Sequence, residues 1–311
     1  MLDTGLLLIL NQGWRLGIVS LCVILIRAVL KRVTSRGASY VLWCSIPICY
    51  FYSIGLQYSD ALFCKIKAGV NNFPLVFLKE KEMPVLKAVW IMGCVGMLCY
   101  MGYSYVKTKC FTARSRHLRE NIYITERSDM PFTVGVIKPS IYLPANMQEE
   151  LYEPVICHER VHIARKDYFI KNAAFVLLAI NWFQPLMWLA YFLFVKDMEV
   201  TCDEIALREK SPGFRKQYAR TLLELSTRET GVGFVVAGYG SVALKERVVQ
   251  ISKTPKRRPF QRALITVLCL ALVLLSIPVC GYIRKPFGYV ANAAEVTKEV
   301  WEVRTTIHPV R

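Results

Sequence analysis

His158-Glu159-Arg160-Val161-His162 is the segment of this 311-residue chain whose spacing suits metal chemistry. Placed on a helix, histidines four residues apart project from one face and can grip one zinc ion through two nitrogens. Glu159, beside His158, can act as general base toward a zinc-activated water. A surface helix with incidental polar residues would read the same way, so the motif alone is only moderately specific. Met198-Glu199-Val200-Thr201-Cys202-Asp203, some forty residues later, narrows the choice. Glu199 and Asp203 share one helical face there, after a long apolar stretch. Glu199 is the candidate third ligand. Asp203, one turn on, is placed to hold a ligand imidazole through its other N–H.

The elements that must position these groups lie in an apolar, basic chain, 54% hydrophobic with net charge +17. Residues 14–31, 40–56, 88–106 and 263–283 each approach the roughly 20 residues needed to cross a bilayer core of about 30 Å. Arg15 and Arg27 fall near the ends of the first run, where long side chains can snorkel to the interface. A signal peptide fits this run poorly, since no basic segment precedes it and no small-residue cleavage site follows. Basic residues follow the first run (Lys31, Arg32, Arg36) and the third (Lys107, Lys109, Arg114, Arg116, Arg119). More precede the fourth (Lys253, Lys256, Arg257, Arg258, Arg262). A four-helix topology puts all three flanks on one side, the cytoplasm by the positive-inside rule, with the N-terminus and the tail from Arg284 outside. Lys65, Lys67, Lys79 and Lys81 weaken this asymmetry without reversing it. The flanks account for the charge, so no nucleic-acid partner is expected, and Lys256-Arg257-Arg258 fits an anionic-lipid contact. The eleven cysteines form no C-x-x-C pair. Cys157 and Cys202 adjoin the motif residues but are off phase with the ligand face, and neither is expected to bind metal.

The stretch 107–262 is long enough for one domain. Residues 121–125, 132–137 and 140–143 read as short strands, and 149–169 as the helix carrying the histidines. The helix through Glu199 should continue to about Lys210, before Ser211-Pro212-Gly213. Residues 214–228 are amphipathic and helical. The glycine-rich 231–240 stretch reads as a loop or edge strand and matches no dinucleotide fingerprint. Residues 173–195 are uncharged and long enough to span, which would separate Glu199 from the histidines by a membrane. Asn181-Trp182-Phe183-Gln184-Pro185 interrupts them: Pro185 breaks the helical ladder, and Asn181 and Gln184 are costly in lipid. Two half-helices of about ten residues, forming a membrane-associated hairpin, would return Glu199 to the histidines at the inner membrane surface.

Taken together, these residues resemble the BlaR/MecR membrane metallopeptidases, antirepressors of bacterial β-lactam signalling. The resemblance rests on Ser39-Tyr40-Val41-Leu42-Trp43, Pro131-Phe132-Thr133-Val134-Gly135, Lys138-Pro139 and Ile141-Tyr142-Leu143-Pro144. It continues through the His158–His162 motif, Lys166-Asp167 and Phe183-Gln184-Pro185-Leu186-Met187-Trp188, then Asp197-Met198-Glu199, Cys202-Asp203 and Lys245-Glu246-Arg247. It implies a gluzincin-type site with His158, His162 and Glu199 on zinc and Glu159 as base. It also implies a cytoplasmic winged-helix repressor as substrate. Gln184 stands where the family usually has Asn. Family receptors carry a penicillin-binding sensor domain after the fourth helix, and residues 284–311 are too short to fold one. Direct β-lactam acylation is therefore not expected, and a separate sensor protein is one candidate partner.

The expected architecture is a mostly α membrane protein: four transmembrane helices with an inserted α+β, gluzincin-like zinc peptidase domain. Residues 1–106 form the first three helices, 107–262 the peptidase domain with hairpin 173–195, 263–283 the fourth helix, and 284–311 a short extracellular tail. The expected activity is zinc-dependent endoproteolysis of a repressor, or of the chain itself. The alternative is a noncatalytic membrane scaffold that binds a repressor or sensor, which the intact motif with Glu199 and Asp203 argues against. A transporter would need an intramembrane charge constellation or an inverted repeat, and neither is evident.

Overall fold

The computed structural model describes residues 2–33, 40–52, 54, 83–135, 138–228, 247–249, 251, 267, 268 and 271. They form a mostly helical protein with one small mixed sheet. Long helix α1 (Leu2–Val33) is followed by α2 (Leu42–Tyr52), which opens with a 3-10 turn. Helix α3 is Met83–Phe111. Strands β1 (Arg116–Arg119), β2 (Ile122–Thr125), β3 (Phe132–Val134) and β4 (Ser140–Pro144) come next. Helices α4 (Tyr152–Arg165), α5 (Asp167–Ile180), α6 (Pro185–Ala206) and α7 (Pro212–Arg228) complete the order.

Among the described residues, two helices are long and apolar enough to cross a membrane, Gln12–Leu30 and Pro84–Phe111, whereas α2 is shorter. The segment expected at 263–283 lies outside the described residues except for Val267, Leu268 and Ala271. Leu268 packs on the apolar core shared by α1 and α6. The 231–240 stretch, the lysines at 65, 67, 79 and 81, the 256–258 cluster and the 284–311 tail also lie outside.

The sheet order is β1-β2-β4-β3, with β2 and β4 parallel and both outer pairs antiparallel. β1 was not expected: its four residues are all exposed, so the basic RHLR carries no alternating apolar pattern to mark a strand. β3 ends at Val134, and Gly135 turns the chain at φ 126 toward β4. A Cβ there would meet the Lys138 carbonyl at 2.4 Å, so only glycine fits. Ile122, Ile141 and Leu143 are fully buried beneath Leu151, Val155 and Ile156, which seats α4 on the sheet.

Three helix boundaries differ from expectation. The helix expected over 149–169 breaks at Lys166, which adopts a left-handed φ of 57 and starts α5 at once. The half-helices of the hairpin are longer than about ten residues, at 14 and 22. Helix α6 ends at Ala206 rather than near Lys210. The break at 181–185 is present, and Pro185 opens α6 where its missing N–H costs nothing. Side chains satisfy the carbonyls freed at this turn: Trp90 Nε1 donates to Ile180 O at 2.9 Å, and Trp188 Nε1 to Trp182 O at 2.7 Å. Gln184 Nε2 donates to Gly13 O at 3.2 Å, clamping the turn to α1.

Candidate metal centre

Helices α4 and α6 meet where the two halves of the motif face each other. His158 Nε2 and His162 Nε2 lie 3.0 Å apart. Glu199 Oε2 lies 3.4 Å from the first and 3.7 Å from the second. A tetrahedral site with bonds of about 2.0–2.1 Å separates its ligand atoms by about 3.3–3.4 Å, so these three atoms fit the edges of a zinc site. The hairpin therefore brings Glu199 back to the histidines.

Each imidazole is oriented through its other nitrogen. His162 Nδ1–H donates to Asp167 Oδ2 at 2.7 Å. The left-handed turn at Lys166 makes this contact, swinging the buried Asp167 back over the preceding helix. His158 Nδ1–H donates to Tyr218 Oη at 2.7 Å, and Tyr218 in turn donates to Asp203 Oδ1 at 2.7 Å. Asp203 Oδ1 is itself 3.2 Å from His158 Nδ1. Asp203 thus sits beside His158 as expected, with Tyr218 as an unforeseen bridge. Arg247 Nε and Nη2 bind Asp203 at 2.7 and 2.9 Å. Both Nε2 atoms are left with lone pairs for a metal. Glu159 Oε2 accepts a hydrogen bond from Thr133 Oγ1 at 2.7 Å, which ties the expected base to β3.

The electrostatics fit a cation. Burial opposes charge on His162, but Asp167, Cys202 and Glu199 push it up to about 11. Burial likewise opposes charge on His158, yet its contacts with Tyr218, Cys202 and Asp203 hold it well above its ordinary value. Two N–H groups cannot face each other at 3.0 Å, so the pair carries at most one extra proton. Burial alone would raise Glu199; the two neighbouring histidines and the charge of Arg247 hold it well below the carboxylate range. Burial would raise Asp203 too, but the Arg247 guanidinium brings it to about 2.

Cys202 lies nearer than its helical phase suggested: donor atoms of His158, His162 and Cys202 all fall within 4.8 Å of one another. Its thiol is engaged elsewhere, donating to the His158 carbonyl at 3.4 Å, and it is fully buried. Glu199 keeps 31% side-chain exposure and faces both Nε2 atoms, which makes it the better third donor. Thr133, Asp167, Tyr218 and Arg247 had no assigned part in orienting the site. Thr133, Asp167 and Arg247 stood within segments of the family resemblance, which was the available signal. Tyr218 looked like any apolar-face residue of an amphipathic helix.

Comparison with known proteins places the chain in a family. A family model described as BlaR1 peptidase M56 matches residues 10–251. The Regulatory protein BlaR1 of Bacillus licheniformis is 27% identical over 221 residues, covering 61% of this chain and 37% of its own length. The methicillin resistance mecR1 proteins of Staphylococcus aureus and Staphylococcus epidermidis are 23% identical over 220 residues, covering 61% of this chain and 38% of theirs. The chain thus spans less than two-fifths of the length of these relatives.

Proposed function

The chain belongs to the BlaR1 peptidase M56 family, and on that premise we propose that it is a membrane zinc metalloendopeptidase of a signalling pathway, with a gluzincin-like site. His158, His162 and Glu199 hold the metal, Glu159 is the base, and a cytoplasmic winged-helix repressor, or the chain itself, is cut. The observation that carries this is the convergence of two Nε2 atoms and Glu199 Oε2 on a triangle with edges of 3.0, 3.4 and 3.7 Å. Zinc held there would supply a Lewis acid that makes water a nucleophile near neutral pH. Glu159 accepts the proton of the attacking water and passes it to the leaving amine. Thr133 Oγ1 holds the carboxylate of Glu159 for that task. Asp167 and the Tyr218–Asp203 pair fix the tautomers of His162 and His158. β3 is an edge strand of the sheet, and an extended substrate can pair along its open side next to Glu159.

The site belongs at the inner membrane surface, in a topology of four spanning helices with both ends outside. Helices α1 and α6 run side by side in the same direction, Gly13 against Gln184 at one end and Arg27 against Asp197 at the other. If Gln12–Leu30 spans, α6 lies at membrane depth up to about Glu199, which comes level with the inner end of that span.

The test is zinc analysis of the purified protein, with proteolysis of a co-expressed candidate repressor scored in parallel. Glu159→Gln should keep zinc and lose turnover, and Glu199→Ala should lose both. Full zinc content in Glu199→Ala would remove the third ligand from the assignment. Undiminished cleavage by Glu159→Gln would remove the base.

A further inference from the structure

Arg27 was expected to snorkel toward an interface, and it does not. Its side chain is only 8% exposed and that of Asp197 only 1%. Arg27 Nε and Nη2 each donate to Asp197 at 2.6 Å, and Trp43 Nε1 adds a third bond to the same carboxylate at 2.9 Å. One carboxylate on α6 is thus held by α1 and by α2.

A buried ion pair of this kind adds little net stability over an apolar pair of similar volume. What the planar guanidinium adds is a defined distance and angle. That matters because, past the Gln184–Gly13 bond at the start of α6 and Ser20 against Met187, the α1–α6 contact is apolar: Met187, Ala190, Phe194 and Met198 pack on the Leu16, Val23 and Leu30 side. Apolar contact is non-directional and fixes neither rotation nor height. Asp197 precedes Glu199 by two residues, about 200° around the helix, so the two carboxylates face opposite sides. Asp197 faces α1 and α2, and Glu199 faces the histidines of α4.

We propose that Arg27 and Trp43, acting through Asp197, are positioning residues for the metal centre. They lock the rotation and height of α6 so that Glu199 meets His158 and His162. Assembly of the site then depends on how α1 is seated. This rests on Glu199 being the third ligand.

The test uses the whole chain in detergent or nanodiscs. It reads zinc affinity by chelator competition, the visible absorption of bound cobalt(II), which is strong in four-coordinate sites, and the thermal midpoint. Replacing both charges by apolar groups (Arg27→Met with Asp197→Leu) orphans the Trp43 N–H and should lower the midpoint modestly. It should lower zinc affinity by about tenfold, as loss of an outer-shell partner does, and weaken the cobalt bands. Trp43→Phe, which keeps the ring and deletes one hydrogen bond, should show the same changes in smaller degree. Exchange of the charges (Arg27→Asp with Asp197→Arg) should recover part of the affinity. Parent-like zinc affinity and cobalt bands in the apolar double variant overturn the proposal. If that variant does not fold, parent-like values in Trp43→Phe overturn it instead. Glu199→Ala run alongside separates the two ideas. If it binds zinc normally, the ligand assignment fails; if it loses zinc while the double variant does not, only the positioning role fails.

Discussion

Tyr218→Phe and Asp203→Asn touch the same hydrogen-bonded chain behind His158, yet should differ sharply. Tyr218→Phe deletes one hydroxyl that lies 2.7 Å from both His158 Nδ1 and Asp203 Oδ1. The two partners it leaves are already 3.2 Å apart and can close on each other. The net loss is one hydrogen bond, about 1 kcal/mol, or about fivefold in zinc affinity. Asp203→Asn is a different perturbation. It removes the carboxylate that takes Arg247 Nε at 2.7 Å and Nη2 at 2.9 Å. The guanidinium, 17% exposed, keeps Glu199 Oε2 as an anion 3.6 Å away and should draw it off the metal. Breaking a buried pair by removing one partner costs about 3–5 kcal/mol of stability. Zinc affinity should fall about 100-fold, the upper end for an outer-shell partner. Chelator competition and thermal unfolding of the two purified variants measure both quantities. Zinc binding weaker in Tyr218→Phe than in Asp203→Asn would refute the bridge, as would an Asp203→Asn protein unchanged in both assays.

Further outcomes follow from other contacts. Thr133→Val, which deletes the donor to Glu159, should lower kcat by about fivefold, on the order of one hydrogen bond, with zinc content and KM unchanged. His158 and His162 both hold protons above the ordinary histidine range, so zinc must displace the proton they share. Binding should release about one proton near neutral pH and weaken as pH falls, which calorimetry in buffers of different ionisation enthalpy checks; no proton release would contradict the shared charge. Cys202→Ala should retain zinc, because its thiol serves the His158 carbonyl; a loss matching that of Glu199→Ala would make the sulfur a ligand. Reporter fusions at Arg114 should give a cytoplasmic signal, and those at Asn71 and Glu295 an external one.

The sequence by itself determined what rests on local spacing. The i, i+4 histidines, Glu199 and Asp203 one turn apart, and the Pro185 interruption are all short-range patterns with short-range consequences. They mark the converging faces of two helices and the turn between α5 and α6, and the alternating buried Ile141 and Leu143 of β4 mark that strand in the same way. Tertiary structure decided what depends on partners distant in the chain. β1 pairs with β2 through its backbone and one ring contact, His117 on Tyr123, and its uniformly exposed side chains left no alternating pattern to mark it. The break at Lys166 requires a non-glycine residue at positive φ, held there by the contacts on either side of it. That break converts Asp167 from an ordinary helical residue into the partner of His162. Tyr218 and Arg247 reach His158 and Asp203 across 60 and 44 residues of sequence, which no periodicity encodes. Arg27 shows the same limit from the other side. A charge near the end of an apolar run can snorkel or be paired in the interior. Only the packing of α1 against α6 places Asp197 within its reach and selects the second.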